Sequence, residues 1–202
     1  LVLLRATRHI PATLRFLSFD RSLDPLRFAW ENSADLGYFA GYENFVRQLL
    51  SEGAARLESS VQQVDWRVCL GDFPAIVEQQ VTNGLANRAL TDPWPKPDAI
   101  VFDAFSPARN PEMWTLSLFT RLYSLLDPTR SCALATYSRS TMLRVTLLLA
   151  GFQVGKGHAT GEKEETTIAA NDPALLTELL DGAWLRRALR STSAEPLYEN
   201  HY

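Results

Sequence analysis

The sequence predicts an α/β fold: a doubly wound, mostly parallel sheet with helices on both faces and an antiparallel hairpin at its C-terminal edge. Three observations predict it. Apolar segments end one after another in aspartate, as in "RFLSFD", "VCLGD" and "AIVFD". Amphipathic runs of helical period separate them. The last two strand-like segments, "FQVGKG" and "EETTIAA", stand too close together for a crossover helix. Strands alternating with helices build βαβ units and parallel pairing, whereas two strands joined by a short connection pair antiparallel.

The first residues, Leu1 to Arg8, read as a short helical piece, and "TLRFLSFD" as a strand ending at Asp20. In "SLDPLRFAWENSADLGYF", Ser22 is placed to cap a helix and Pro25 falls in its first turn. From Tyr42 to Leu57 the apolar positions Phe45, Leu49, Leu50, Ala54 and Leu57 recur at helical spacing and predict a second helix. "WRVCLGD" is the next strand, ending at Asp72, and "FPAIVEQQV" the helix after it; "TNGLANRALTDPWPKP", rich in Pro, Asn and Gly, reads as a loop. After the strand "DAIVFD", Asn110 as cap, Pro111 at the first helical position and Glu112 beside the positive end of the dipole start a helix running through "MWTLSLFTRLYSLL". "SCALATY" is a strand, "STMLRVTLLLAG" a helix closed by Gly151, and the hairpin follows. The expectation is one domain over residues 1–190 and a tail, 191–202, with little periodic pattern.

A chain of 202 residues, 46% of them apolar, can bury one substantial core. Its 20 basic and 23 acidic side chains leave a formal charge of -3, so a nucleic-acid partner must be met by a local patch rather than by the whole surface. The segment from Ala104 to Gly157 carries such an excess: Arg109, Arg121, Arg130, Arg139, Arg144 and Lys156 against Glu112 and Asp127. Cys69 and Cys132 lie in apolar runs and read as buried thiols of a reducing compartment, not as a disulfide framework. No apolar run has the length of a membrane span and no signal-peptide pattern is present, so the cytoplasm is the expected location and no membrane partner is expected. His9, His158 and His201 are scattered, and no metal site, nucleophile elbow or P-loop is expected.

In open α/β sheets, ligands bind outside the carboxyl ends of the strands. A carboxylate is costly to desolvate, so an apolar strand tolerates one at its end, where water, a ligand or backbone donors reach it. Three such ends in one sheet fit a cofactor built on adenosine. Asp20 is placed to bond ribose hydroxyls, Asp72 to accept from an exocyclic amine and Asp103 to face the reacting end. A strand-end Asp is also a good capping residue, and for each position that reading stands beside the functional one.

The run "DAFSPARNPEMWTLSLF", followed by "LATYSRSTMLRVTLLLAGFQVGKGHATGEKEE", resembles the methyltransferase domain of the bifunctional tRNA enzyme that makes methylaminomethyl uridine at the wobble position, the MnmC-like family. The similarity extends weakly to "LRFLSFDRSLDPLRFA" and "GDFPAIV". The resemblance implies a Rossmann-like methyltransferase fold without the fused flavin domain, S-adenosyl-L-methionine as cofactor and aminomethyl uridine in tRNA as methyl acceptor. Carried over by position, Asp20 holds the ribose, Asp72 the adenine side, and Asp103 the methionine end and the incoming amine. That role suits the chemistry: a sulfonium methyl is already activated, and a carboxylate can take a proton from the amine and orient its lone pair.

Phe105, on the loop after Asp103, is placed to stack on a flipped nucleobase as part of the catalytic centre, with Pro107 adding apolar contact. Met113 and Trp114 open an amphipathic helix and read first as packing residues. Arg109 and Lys163 are the candidate RNA contacts. Where the family often reads Gly-Arg-Lys-Arg-Glu-Met, this chain has "GEKEET", which keeps Lys163 and Glu165 but sets Glu162 and Glu164 where arginines are common. No Gly-rich turn follows a first strand: Gly37 is the earliest glycine, and "LVLLRATRH" reads as the helix after such a turn, so that strand and turn are expected upstream of Leu1. The missing turn and the acidic "GEKEE" suggest a second reading, a non-catalytic Rossmann-like scaffold that has lost cofactor binding. A third, a nicotinamide-dependent oxidoreductase, comes from the strand-end acidic residue, which suits that cofactor too, but the missing turn weakens it equally and the Asp103 loop has no role in it.

Overall fold

The computed structural model describes residues 1–85, 94–161 and 164–199. It falls into two compact units, Leu1–Phe73 and Pro74–Tyr202. Among the described residues, no helix is long and apolar enough to cross a membrane.

The first unit is built on a three-stranded sheet. Helix α1 (Val2–Thr7) leads into strand β1 (Ala12–Asp20), followed by α2 (Asp24–Glu31), α3 (Ser33–Leu36) and α4 (Glu43–Glu52). Strands β2 (Ala54–Glu58) and β3 (Gln62–Leu70) complete it in the order β1-β3-β2. β1 and β3 pair in parallel from Ala12 opposite Gln62 to Asp20 opposite Leu70, and β2 returns antiparallel to β3. The core joins α1, α4 and the sheet: Leu4, Phe45, Leu49, Ala55 and Val64 are buried together, with Trp66 packed against Phe45 and Phe16. Burying each large apolar side chain contributes about 1.5–3 kcal/mol.

Here the structure corrects the helix expected from Tyr42 to Leu57. It ends at Glu52, because Gly53 takes a left-handed conformation (φ 69°) and donates its N–H to the Leu49 carbonyl; glycine adopts this geometry without a Cβ penalty. Ala54 and Leu57, which fit the helical period, instead lie in β2, where Ala55 and Leu57 share the face turned to the core. Ser22 does not cap α2 either. The residue at that position is Leu23, without a side-chain cap, while the Ser22 hydroxyl accepts from the Asp24 N–H at 3.3 Å.

The second unit carries a four-stranded sheet. Helix α5 (Phe73–Leu85) crosses into it from the first unit and takes in "TNGL", which the sequence assigns to a loop. The Asn and Gly of that stretch are tolerated within the helix at a cost of about 1 kcal/mol. Then come β4 (Ala99–Phe102), a 3-10 turn (Pro111–Trp114), α6 (Leu116–Ser124), β5 (Ala133–Thr136), α7 (Thr141–Leu149), β6 (Gln153–Gly157), β7 (Thr166–Ala170), a second 3-10 turn (Pro173–Leu175) and α8 (Gly182–Ala188). The order is β4-β5-β7-β6, with β4 and β5 parallel and both β5–β7 and β6–β7 antiparallel. The expected C-terminal hairpin is therefore present, with β6 outermost.

Phe119, Leu143, Leu147 and Phe152 form the heart of this unit; Phe102 packs on Phe119 with ring centroids 5.0 Å apart, and Tyr123 meets Phe152 edge-on at 4.9 Å. The segment after β7 packs back on this unit. Lys156 donates its N–H to the Glu178 carbonyl and Leu180 its N–H to the Val154 carbonyl, which covers the outer edge of β6. Leu197 accepts from the Leu116 N–H at 2.9 Å.

Candidate cofactor and acceptor sites at the strand ends

In the first unit the parallel register brings two of the three candidate carboxylates to adjacent strand ends. Asp20 closes β1, and Asp72 follows the end of β3 by two residues. The Gly71 N–H donates to the Asp20 carbonyl at 2.9 Å and holds the two ends together. The Asp20 side chain accepts from the backbone N–H of Arg21 at 2.7 Å and of Ser22 at 3.5 Å, both at Oδ1. Oδ2 accepts no hydrogen bond among the described residues. Asp20 thus braces the turn after β1 rather than capping α2, and its carboxylate, with about four lone-pair directions, keeps acceptor capacity for a ligand. Asp72 is engaged differently: its Oδ1 accepts from the Arg21 guanidinium at 3.1 Å, an exposed ion pair of small energetic weight.

Beside Asp20 opens a cavity of about 390 Å³, lined among others by Ser18, Phe19, Ser22, Tyr38 and Trp66. The Trp66 indole N–H donates to the Ser18 hydroxyl at 2.8 Å, which fixes that wall. An apolar, aromatic-walled cavity with one carboxylate at its rim suits a nucleoside, whose base packs against rings and whose ribose donates to the carboxylate. Asp20 fits the cofactor that the sequence implies. Asp72 is not among the residues that line the cavity, and its carboxylate is shared with Arg21.

In the second unit Asp103 leaves the end of β4 just after buried Phe102. It is exposed and has no hydrogen bond or ion pair among the described residues. The loop that follows is pinned from beneath. Trp114 is buried edge-on against Phe102, at 5.4 Å, and its indole N–H donates to the Phe105 carbonyl at 2.7 Å. The Ser106 carbonyl accepts from Arg109 and Asn110 N–H groups at 2.8 and 3.0 Å, closing a turn. Trp114 is therefore a packing residue. Its anchoring leaves the Phe105 ring 72% exposed on a fixed backbone, with Pro107 half-buried and Arg109 exposed beside it. Lys163 and Glu162 lie outside the described residues.

Two expectations need correction here. Asn110 makes no side-chain cap: the first turn is 3-10, and the α-helix proper is capped by Thr115, whose hydroxyl accepts from the Leu118 N–H at 3.2 Å. The basic segment is not a patch either. Arg121 pairs with Glu78 and Glu199, Arg130 with Asp98, and Lys156 with Glu178. Arg144 is buried at 3% exposure, bonded to Glu165, the Thr167 hydroxyl and the Thr166 carbonyl. A count along the sequence weighs these side chains alike, whereas folding commits four of the six to acidic or carbonyl partners far along the chain.

Neither thiol suits nucleophilic work. Burial pushes Cys132 up to about 11, assisted by the Asp98 carboxylate, and burial likewise raises Cys69. Among the described residues, no group of three His, Cys, Asp or Glu side chains could hold a metal ion.

Known proteins resemble this chain in sequence and in fold. The sequence model of a family described as S-adenosyl-L-methionine-dependent methyltransferase matches residues 39–172. The protein "tRNA 5-methylaminomethyl-2-thiouridine biosynthesis bifunctional protein MnmC" of Aeromonas salmonicida is 31% identical over 155 residues, covering 75% of this chain and 22% of that protein. Its namesake in Ectopseudomonas mendocina is 46% identical over 68 residues, covering 34% of this chain and 10% of that protein. This chain thus spans less than a quarter of the curated relatives it matches. The crystal structure of MNMC2 from Aquifex aeolicus superposes with a TM-score of 0.58 at 23% identity, covering 98% of this chain and 65% of that one. That likeness shows the α/β, Rossmann-like fold. With the family match spanning more than half of the sequence, the chain belongs to the S-adenosyl-L-methionine-dependent methyltransferase family.

Proposed function

We propose that the chain methylates the amine of aminomethyl uridine at the wobble position of tRNA, acting as one methyltransferase domain over residues 1–190 in the cytoplasm. The observation that carries this reading is the Asp103 loop: an exposed carboxylate with no partner among the described residues, followed by an exposed aromatic ring on a backbone held by Trp114. The name of the relatives, which places those proteins in methylaminomethyl-thiouridine biosynthesis on tRNA, supports the choice of acceptor.

The cofactor supplies an electrophilic methyl group on a sulfonium, and the chain's own residues do the rest. Asp20 accepts from the ribose hydroxyls, and Asp72 from the adenine amine while it remains bridged to Arg21. Asp103 accepts a proton from the acceptor amine and aims its lone pair, and its charge favours the nearby sulfonium. Phe105 stacks on the uracil and Pro107 closes its edge, while Arg109 and Lys163 meet phosphate. In-line placement carries the catalytic burden, because the leaving thioether needs no acid, and stacking on Phe105 serves to hold the acceptor in that line.

The test is a calorimetric titration with S-adenosylhomocysteine, followed by methyl transfer to undermodified tRNA. Asp20→Ala should weaken binding of S-adenosylhomocysteine about tenfold or more, the loss of at least one hydrogen bond to a charged group. Asp103→Asn should cut methyl transfer by about 100-fold or more, in excess of any effect on cofactor affinity. Failure of the unaltered chain to bind S-adenosylhomocysteine would sink the reading.

A further inference from the structure

We propose that the loop joining β5 to α7 is a second nucleotide-binding element, in which Tyr137 stacks on the base next to the methylated uridine and Arg139 pairs with a neighbouring phosphate. This rests on the reading that a nucleotide acceptor sits at Asp103. It extends that reading from one nucleotide to a single-stranded stretch of RNA.

The first observation is placement. β4 and β5 are parallel neighbours with Phe102 opposite Thr136, so the chain leaves both strands at the same end of the sheet, one toward Asp103 and Phe105, the other toward Tyr137 and Arg139. Neighbouring strands lie about 4.8 Å apart, and successive bases of a stacked strand rise by roughly 3.4 Å and separate further when splayed. Adjacent loops can thus serve adjacent nucleotides.

The second observation is how the loop is braced. The residues "TYSRS" alternate. Thr136 is buried and Ser138 and Ser140 are half-buried, whereas Tyr137 is 47% exposed and Arg139 is exposed. The inward hydroxyls accept from the chain itself: Thr136 Oγ1 from the Ser138 N–H at 3.5 Å, Ser138 Oγ from the Ser140 N–H at 3.3 Å, and Ser140 Oγ from the Leu143 N–H at 3.2 Å. An aromatic ring and a guanidinium are thereby held outward on a backbone that needs no ordering when a ligand arrives, which lowers the entropic cost of binding.

The third observation is charge. Of the basic residues between Ala104 and Gly157, Arg121, Arg130, Arg144 and Lys156 are committed to acidic partners. Arg109 and Arg139 have no side-chain partner among the described residues, and they stand in the two loops that follow β4 and β5. Each has an exposed aromatic ring a few residues before it: Phe105 before Arg109, Tyr137 before Arg139. An aromatic face that accepts any base, paired with a cation for phosphate, is the working unit of single-strand recognition. On a chain of net charge -3, two such pairs supply local attraction that the surface as a whole does not. A small free amine would engage one pair and leave the second without purpose.

The experiment measures fluorescence anisotropy of a labelled, unmodified anticodon stem-loop RNA with the full chain, alongside calorimetry with S-adenosylhomocysteine. Tyr137→Ala should weaken RNA binding about tenfold and Tyr137→Phe, which keeps the ring, by less than about twofold. Arg139→Gln should weaken binding and flatten the dependence of log affinity on log salt by about 0.7, the contribution of one phosphate contact on a single strand. All three variants should bind S-adenosylhomocysteine as the unaltered chain does. RNA affinities within twofold of the unaltered chain for both Tyr137→Ala and Arg139→Gln would overturn the proposal while leaving the methyltransferase reading intact. So would an unaltered chain that binds S-adenosylhomocysteine but no RNA. If RNA binding shows the expected dependence on both residues and S-adenosylhomocysteine does not bind, the loop assignment holds and the catalytic reading falls.

Discussion

At the residue scale, the side chains of this protein sort by what folding puts beside them rather than by type. Asp20 takes two backbone donors on one oxygen, Asp72 takes a guanidinium, and Asp103 takes neither. Cys132 shows the same dependence on setting. Its thiol is pushed up from 9.0 to about 11 by burial first and by Asp98 second. A group whose folded value lies above its unfolded one stabilises the fold below the unfolded value and loses that contribution as pH rises through the folded one. The thermal midpoint should therefore fall between about pH 9 and 11, and Cys132→Ala should flatten that part of the profile, measured by melting curves across alkaline buffers. Iodoacetamide should leave Cys132 unlabelled in the native protein at neutral pH. Strand-end carboxylates were legible in the sequence because an apolar run cannot tolerate a charge except at its end. The pairing of Arg121 with Glu199 and the burial of Arg144 were not, since both depend on partners that only the fold brings close. The Tyr137 and Arg139 loop had a signal, the alternation of hydroxyl and large side chains in "TYSRS", but along the sequence the strand "SCALATY" stops at Tyr137 and Arg139 counts only as one basic residue among six.

At the element scale, the strands of the parallel pairs were legible from their apolar runs, and the hairpin from its short connection. The second strand of the first unit was not. "AARL" has strong helical propensity, and after the amphipathic run of α4 only Gly53 marks the break. Glycine matters again in β6. A Cβ built on Gly155 would stand 2.5 Å from the Glu178 carbonyl oxygen, on backbone that bonds β6 on both sides. Gly155→Ala must therefore push the 178–180 segment off the strand edge. Urea denaturation should show a loss of about 1–3 kcal/mol, the range for overpacking a fitted contact. An unchanged midpoint would mean that this segment does not hold the edge of β6 in solution. The split of the expected helix at Asn110 into a 3-10 turn and a Thr115-capped α-helix belongs to the same class. Pro111 and Glu112 mark a helical start, but they do not say where the turn tightens.

At the scale of the whole molecule, a formal charge of -3 and a family defined by a sulfonium cofactor leave recognition to local groups, and the two units each hold their own sheet and apolar core. One feature of the second unit reaches furthest. Arg144 on α7 is buried with its guanidinium shared among Glu165 and two residues of β7. Opening either element alone would strand a charge in an apolar interior, and breaking such a pair costs about 3–5 kcal/mol. Helix and strand should accordingly release their amide hydrogens to deuterium through a single shared event, at one common free energy, while α8, capped at its start by Asp181 and largely exposed, exchanges far sooner. Native-state exchange read by mass spectrometry would test this, and Arg144→Met should separate the two rates. The loops that follow β4 and β5 would then rest on a helix and a strand that open only together, so that their placement and the opening of this unit draw on the same reserve of order.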